Sequence, residues 1–225
     1  MKPQKLKLKV KSIEWLTDKI VVLLFTTVEP DAIEWVPGQH IGIKVADDTS
    51  RPYCIYTNSN INNEIGIIVS AGHSGKGADY IKSLSEGDLV DGFGPVGRHK
   101  INTDYADSIV FAATGTGIAP MFSILDKMVD DKVESKISLF FGLRDSSDIF
   151  MIDLLEGYKV SLPNFNYEIV YSNPEASWEG LSGYVTDVVE AAENTQYYIV
   201  GHKNMVIDLK NKLTSNGVSE ENIVG

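Results

Sequence analysis

The feature that most constrains this chain is an apolar run, Ile109–Ala113, that stops at Thr114-Gly115-Thr116-Gly117-Ile118-Ala119-Pro120 and passes into helical spacing. A short apolar run ending in a glycine turn reads as a buried strand. Phe122, Leu125, Met128 and Val129 then recur as one face of a helix over Ala119–Asp131. Strand, glycine turn and helix in that order form the setting a dinucleotide-binding fingerprint requires. Gly115 and Gly117 let backbone amides approach a pyrophosphate, and the helix start adds unpaired N–H groups and a favourable dipole. Pro120 stands where the common fingerprint has its third glycine, in a first helical turn where the missing proline N–H costs little. Taken alone, the same residues also suit an ordinary strand–turn–helix corner.

The residues beyond this helix support an α/β reading. Ile137–Phe141, Tyr167–Tyr171 and Tyr197–Val200 are further buried-strand runs, and helical segments are predicted at Asp148–Glu156, Tyr184–Ala192 and Asn204–Ser215. Strands alternating with helices imply a parallel, doubly wound sheet. Upstream the pattern differs. Lys5–Lys11 alternates strictly, with Leu6, Leu8 and Val10 on one face and lysines on the other, a solvated sheet face or a docking strip for an acidic partner. Ile20–Thr26, Ile41–Val45, Arg51–Tyr56 and Ile65–Ser70 are short strands, with one helix at Lys76–Leu84. This is the signature of an antiparallel barrel or sandwich. The predicted organisation is therefore a β-barrel domain over residues 1–103 and an α/β domain over 104–225, joined near Asn102–Ala106.

Composition narrows the function. The 225 residues suffice for one large domain or two compact ones. The single cysteine, Cys54, rules out an internal disulfide framework, a four-cysteine zinc site and a self-contained four-cysteine iron–sulfur cluster. His40, His73, His99 and His202 lack ligand spacing, so no metal site is expected. A net charge of −11 argues against nucleic acid or an anionic membrane as the main partner. No stretch approaches the ~20 apolar residues of a membrane span, and the N-terminus lacks the apolar core of a signal peptide, so a cytoplasmic setting is expected. Only three arginines occur, Arg51, Arg98 and Arg144, each in or beside a glycine- or proline-bearing motif. In an acidic chain these are the side chains suited to grip an anionic ligand bidentately.

Two further motifs join the fingerprint. In Arg51-Pro52-Tyr53-Cys54, strand alternation puts Arg51 and Tyr53 on one face, where they can hold a phosphate and cover a flat ring. Gly72-His73-Ser74-Gly75-Lys76-Gly77-Ala78 is a glycine-rich turn entering a helix. It departs from a Walker A loop, because Gly77 follows Lys76, and from a nucleophile elbow, because Lys76 takes the last glycine position. Its backbone amides suit a second phosphate site.

With these motifs in order, the chain resembles the ferredoxin–NADP reductase-like flavoprotein reductases over nearly its whole length. Pro37-Gly38-Gln39 resembles the turn before the flavin-facing strands, and Arg51-Pro52-Tyr53-Cys54 the Arg-x-Tyr-Ser flavin motif. Gly75-Lys76-Gly77-Ala78 is similar to the FAD pyrophosphate turn and Gly94-Pro95-Val96-Gly97 to the Gly-Pro-x-Gly turn. Thr114–Pro120 resembles the nicotinamide-dinucleotide loop, Gly142-Leu143-Arg144 the segment after the second strand, and Gly201 through Met205 a degenerate Cys-Gly-Pro-x-x-Met. The resemblance implies an antiparallel FAD barrel followed by an α/β NAD(P) domain. It implies that Arg51 and Pro52 lie at the FAD phosphate, that Tyr53 packs on the flavin and that Cys54 stands near its reactive edge. The backbone of Ile68, Val69 and Ser70 would line that edge, and Gly75, Lys76, Gly77 and Ala78 would bind pyrophosphate. Thr116 would sit where nicotinamide meets flavin, with Thr114, Gly115, Gly117 and Pro120 along the dinucleotide, and Gly201 and Met205 nearby. Tyr53, Cys54 and Thr116 are thus the implied catalytic residues. The implied reaction is hydride transfer between nicotinamide C4 and flavin N5, then electron transfer to a separate acceptor: an iron–sulfur or other redox protein, an oxygenase component, or a small molecule such as free flavin.

This chain departs from the family pattern at Cys54, where the family has serine, at Ala78, often Ser or Thr, and at Val200 and Lys203, where cysteine and proline are usual. Ser172-Asn173 replaces the Ser-Arg of NADP-specific members, so NADH is favoured over NADPH. Arg144 is either a substitute 2′-phosphate clamp or a surface arginine paired with Asp145 or Asp148. Trp178, ahead of Gly180 and Gly183, either lines the dinucleotide cleft or packs. The alternative function is a non-catalytic flavin- or dinucleotide-binding redox sensor, or an electron-transfer subunit of a larger complex.

Overall fold

The computed structural model describes residues 3–61, 63–97 and 104–225. Arg98, His99 and the Asn102–Thr103 part of the expected join lie outside the described residues. The structure divides into two compact units, Met1–Ile101 with Ala119–Lys127, and Asn102–Ile118 with Met128–Gly225.

The first unit is built on six antiparallel strands: β1 (Gln4–Trp15), β2 (Ile20–Glu29), β3 (His40–Ala46), β4 (Thr49–Cys54), β5 (Glu64–Ser70) and, after helix α1 (Lys76–Ser83), β6 (Leu89–Val96). Their order is β4-β3-β6-β1-β2-β5. An isolated bridge between Ile55 and Ile67 brings the two end strands together, so the sheet curls into a barrel. The alternation in β1 behaves as its sequence requires. Leu6, Leu8 and Val10 are buried with Leu23, Phe25, Ile41, Ile43 and Ile67, while the lysines face out. Lys7 pairs with Asp91 at 2.5 Å and Lys11 with Glu64, exposed ion pairs of small individual worth.

Strand β6 is not expected from the sequence, where Gly94-Pro95-Val96-Gly97 reads as a turn. Its glycines explain both the strand and its poor legibility. A Cβ at Gly92 would stand 2.7 Å from the carbonyl oxygen of Gly42 on β3, so only glycine permits that backbone approach. The Phe93 ring in turn covers Gly42, whose own Cβ would meet it at 2.2 Å.

The second unit holds a parallel sheet. Its strands are β7 (Ser108–Thr114), β8 (Lys136–Leu143), β9 (Phe165–Tyr171), β10 (Leu181–Ser182), β11 (Thr195–Val200) and β12 (Ile223–Val224), ordered β10-β9-β8-β7-β11-β12. Helix α2 (Ala119–Asp130) comes after β7 through a tight turn at Gly115–Ile118, and most of it clusters with the first unit, where Gly38 N–H donates to the buried Ser123 Oγ at 3.2 Å. Helices α3 (Ile152–Ser161), α4 (Val185–Val188) and α5 (Lys203–Ser215) complete the chain. The sheet's continuous apolar strands are buried on both faces, as parallel strands demand. Ala112, Val170, Tyr197 and Ile199 pack with Val185, Val189, Leu209 and Leu213. Phe111 stacks on Tyr198 at 5.2 Å.

Two predicted helices differ in extent. The Asp148–Glu156 segment splits into a short turn at Ser146–Asp148 and α3, because Met151 adopts a left-handed conformation with φ of 55° that a continuous helix does not allow. The Tyr184–Ala192 segment shrinks to α4, since Val189 is extended and fully buried against the sheet. Among the described residues no helix is long and apolar enough to cross a membrane.

Leu8 is fully buried in the barrel core. Leu8→Ala is expected to destabilise the first unit by about 2–5 kcal/mol, measured as a lowered urea midpoint of its unfolding transition.

Candidate functional site

In the first unit, β4 carries Arg51, Pro52, Tyr53 and Cys54 opposite Ile43, Gly42, Ile41 and His40 of β3. Pairing to buried Ile43 and Ile41 fixes Arg51 and Tyr53 on one face. Helix α1 starts beside them. At Gly77 a Cβ would lie 3.0 Å from the Tyr53 hydroxyl oxygen and 3.3 Å from Arg51 Cγ. The missing side chain therefore lets the glycine turn close against both residues, bringing together Arg51, Tyr53 and Gly77 from separate motifs. Arg51 is exposed, donates from Nη1 to Ser50 O at 3.3 Å, and has no carboxylate partner among the described residues. Lys76 is committed elsewhere, with Nζ 3.2 Å from Thr49 Oγ1 and 3.4 Å from Asp48 Oδ1. Ala78 is buried, so its methyl serves packing. Gly75 N–H donates to Asp79 Oδ2 at 3.1 Å, and this bond, with Lys82 beside it, holds the Asp79 carboxyl below its ordinary range.

Strand β5 closes this region. Ile68, Val69 and Ser70 pair with Val22, Val21 and Ile20 on β2. Beyond the Ile55–Ile67 bridge no strand among the described residues pairs their other edge, which leaves backbone groups there to be satisfied by something else. Cys54 ends β4, and burial pushes its thiol up to about 11. At neutral pH it is therefore a neutral S–H, a weak donor.

In the second unit the chain steps outward from β7 through β8 and β9, then returns to β11 on the other side of β7. This topological switch leaves a crevice at the carboxyl ends of β7 and β11, the place where doubly wound sheets bind ligands. Thr114 ends β7, and Gly115 turns the chain with φ of 52°. A Cβ at Gly117 would stand 2.3 Å from Val200 O. At Gly201, with φ of 154°, a Cβ would meet Thr114 Oγ1 at 2.0 Å and Met205 Cε at 3.0 Å. Thr114, Gly117, Gly201 and Met205 are thus gathered from two segments, with half-buried Thr116 on the same turn. Pro120 is buried in the first turn of α2, as its missing N–H allows.

From its sequence context His202 is expected only as polar surface or turn. Its N–H donates to Thr114 Oγ1 at 2.8 Å and its Nδ1 accepts from Asn204 N–H at 3.3 Å, so it caps α5 and ties that helix to β7. Histidine is an uncommon N-cap, and no sequence signal marks it. Ser123, which anchors Gly38, is equally hidden in the sequence.

Arg144 stands just past β8. Its Nε is 2.9 Å from Asp145 Oδ2 and 3.8 Å from Asp148 Oδ2, the surface pairing rather than a free clamp. Its neighbour Asp145 is held below the ordinary carboxylate range, first by the Ser147 hydroxyl and then by Arg144. Across from this turn, Glu175 accepts from the Ser146 hydroxyl and from Ser146 N–H at 3.4 Å. Trp178 packs on Tyr171 with ring centroids 4.3 Å apart and donates to Leu181 O.

Residues 7–101 match the oxidoreductase FAD-binding domain and residues 111–211 the oxidoreductase NAD-binding domain. The chain therefore combines these two domain types and belongs to the ferredoxin reductase-like family of FAD- and NAD-binding oxidoreductases. It is 23% identical over 219 residues to the toluate 1,2-dioxygenase electron transfer component of Pseudomonas putida, covering 95% of this chain and 64% of that protein. It is 30% identical over 204 residues to a subunit of the Na(+)-translocating NADH-quinone reductase of Pseudoalteromonas atlantica, covering 80% of this chain and 49% of that protein. The chain thus spans about half to two thirds of the length of these curated relatives. A cytochrome P450 reductase of Amycolatopsis shares the fold, with a TM-score of 0.88 at 19% identity over 98% of this chain and 68% of that one.

Gly117→Ala drives a methyl into a backbone oxygen that cannot rotate away. Affinity for a nicotinamide dinucleotide is expected to fall at least ~10-fold, by titration calorimetry, with FAD content unchanged in the purified protein, because Arg51, Tyr53 and Gly77 lie in the other unit.

Proposed function

We propose that this chain is an FAD-dependent reductase that takes electrons from NADH and delivers them to a separate acceptor. The observation that carries it is the cradle at Gly77, where a guanidinium with no carboxylate partner among the described residues, a tyrosine side chain and a helix start converge with no side chain between them. That arrangement fits a pyrophosphate joined to a flat ring system, and the switch-point crevice at Thr114, Gly117 and Gly201 fits a second dinucleotide. When bound, FAD supplies hydride acceptance at N5 from nicotinamide C4 and onward release of electrons.

The chain's own residues align, grip and exclude. Arg51 neutralises phosphate charge bidentately. The α1 start offers backbone amides, but Asp79 occupies the Gly75 N–H and must yield it to an incoming phosphate. Tyr53 covers the ring. The free edge of Ile68–Ser70 supplies backbone groups to its polar rim. Cys54 holds its proton at Sγ and offers the N5 position a weaker hydrogen bond than a hydroxyl would. In the second unit, Thr116 and the Gly115–Gly117 turn orient the nicotinamide end. Buried Met205, packed against Gly201, gives the crevice an apolar wall.

NADH is the favoured donor. Arg144, the cation just past the end of β8, is already paired to carboxylates, and Asn173 brings no charge. An electron transfer component stands among the relatives, which supports a protein acceptor; the lone cysteine suits a reducing, cytoplasmic setting.

The test is an anaerobic titration of the purified protein. It is expected to be yellow and to lose its flavin absorbance with NADH, at a kcat/KM at least ~10-fold above that with NADPH. A colourless protein, or a flavin that NADH leaves oxidised, would make it a binding subunit instead. Cys54→Ser restores an oxygen donor and is expected to speed flavin reduction in stopped-flow traces by about 2- to 10-fold, the scale of one improved hydrogen bond. An unchanged or slower rate removes Cys54 from that role.

A further inference from the structure

His202 holds the crevice of the second unit from two directions. Its main-chain N–H donates to Thr114 Oγ1 at 2.8 Å, tying the end of β11 to the turn after β7. Its imidazole Nδ1 accepts from Asn204 N–H at 3.3 Å, so the side chain is the N-cap of α5. In the first turn of that helix, Met205 is buried against Gly201, which itself closes on Thr114. The start of α5 is therefore part of the crevice wall, and one imidazole nitrogen decides whether it is capped.

The usual capping side chains, Ser, Thr, Asp and Asn, keep an acceptor oxygen in mild acid. Histidine does not. The neutral ring has one acceptor nitrogen, whereas in the protonated ring both nitrogens donate. Protonation also sets a cation against the positive end of the helix dipole. Histidine changes charge between about pH 5 and 8. The groups bonded to His202, Thr114 from β7 and Asn204 from α5, are not ionisable. Lys203 and Asp208, the charged side chains beside it along α5, are exposed, and no carboxylate among the described residues is paired with the ring. His40, His73 and His99 all precede residue 104, so His202 is the only histidine in residues 104–225. We propose that His202 is a proton-sensitive positioning residue. Its neutral ring caps α5 and keeps Met205 and Gly201 in place beside Thr114, and its protonation loosens that wall and weakens the binding of a nicotinamide dinucleotide. The binding-competent form carries one proton fewer, so affinity is full where the ring is neutral and falls as pH drops through its titration. This rests on the proposed binding of a nicotinamide dinucleotide by the second unit.

The experiment measures NAD⁺ binding to the purified protein by calorimetry at about pH 5.5 and about pH 8, a readout independent of turnover with a ligand that does not itself titrate in that window. In the unaltered protein, affinity is expected to be about three- to tenfold higher at the upper pH, the scale of one helix cap. His202→Asn keeps the main-chain N–H and supplies an amide oxygen that caps without titrating, so the two affinities should come within about twofold of each other. His202→Ala keeps the same N–H but caps at neither pH. It should be equally flat, with affinity about three- to tenfold below that of His202→Asn at the upper pH. Three results overturn the proposal and leave dinucleotide binding intact: an unaltered protein whose affinity is flat or rises in acid, a His202→Asn variant that keeps the pH dependence, or a His202→Ala variant that binds as well as His202→Asn. If the unaltered protein binds NAD⁺ at neither pH, the dinucleotide reading fails, and this proposal with it.

Discussion

The approach of Gly117 to the carbonyl of Val200 is the constraint from which the second unit's site derives. Two backbones meet there, one entering a helix and one leaving a strand, at a distance that excludes a Cβ. Gly201 closes against Thr114 in the same way, and the bond from His202 N–H to Thr114 Oγ1 locks the two segments in register. The β7 turn is thus held against the end of β11 by close backbone contact and one hydrogen bond. A crevice with closely packed backbone walls results, at the point where the sheet's winding reverses.

The first unit reaches a similar end by another route. Its sheet must curl because the chain at the ends of β4 and β5 bridges at Ile55 and Ile67. The curl leaves the Ile68–Ser70 edge unpaired by any described strand and stands Arg51 and Tyr53 beside the α1 start. Once more a missing Cβ, at Gly77, decides how near the pieces come. Charge is managed locally in an acidic protein: Lys76 and Arg144 are spoken for by carboxylates, whereas Arg51 donates to a main-chain oxygen and meets no carboxylate among the described residues. A formal charge of −11 coexists with anion binding because a phosphate responds to the few charges within a Debye length.

Most of the element pattern is legible in the sequence, because both periodicities have a direct physical cause. Alternation in β1 marks one buried face, and the continuous apolar runs of β7, β8 and β11 mark strands covered on both sides. The features that escape it do so for particular reasons. Strand β6 is interrupted by Gly92 and Gly94, which read as turn residues but serve close packing. The helix expected from Asp148 starts only at Ile152, because Met151 bends the chain there, and nothing in its side chain announces a left-handed conformation. His202 as a helix cap tied to β7, Ser123 as the anchor for Gly38 and Glu175 as the partner of Ser146 depend on segments distant in the chain.

The sequence by itself determined the kinds of chemistry available: where glycine permits backbone amides to face a ligand, that the arginines are few, and that the single cysteine closes the Arg51–Cys54 motif. It did so because those are properties of residue type and local spacing. Only the tertiary structure decided which of these groups are free to act. Arg51 and Arg144 are the same residue beside similar motifs. One meets a glycine and a tyrosine ring, and the other is tied to Asp145 and Asp148. The difference lies in which neighbours the fold brings within a few ångströms, and a charge's availability depends on that neighbourhood more than on its place along the chain.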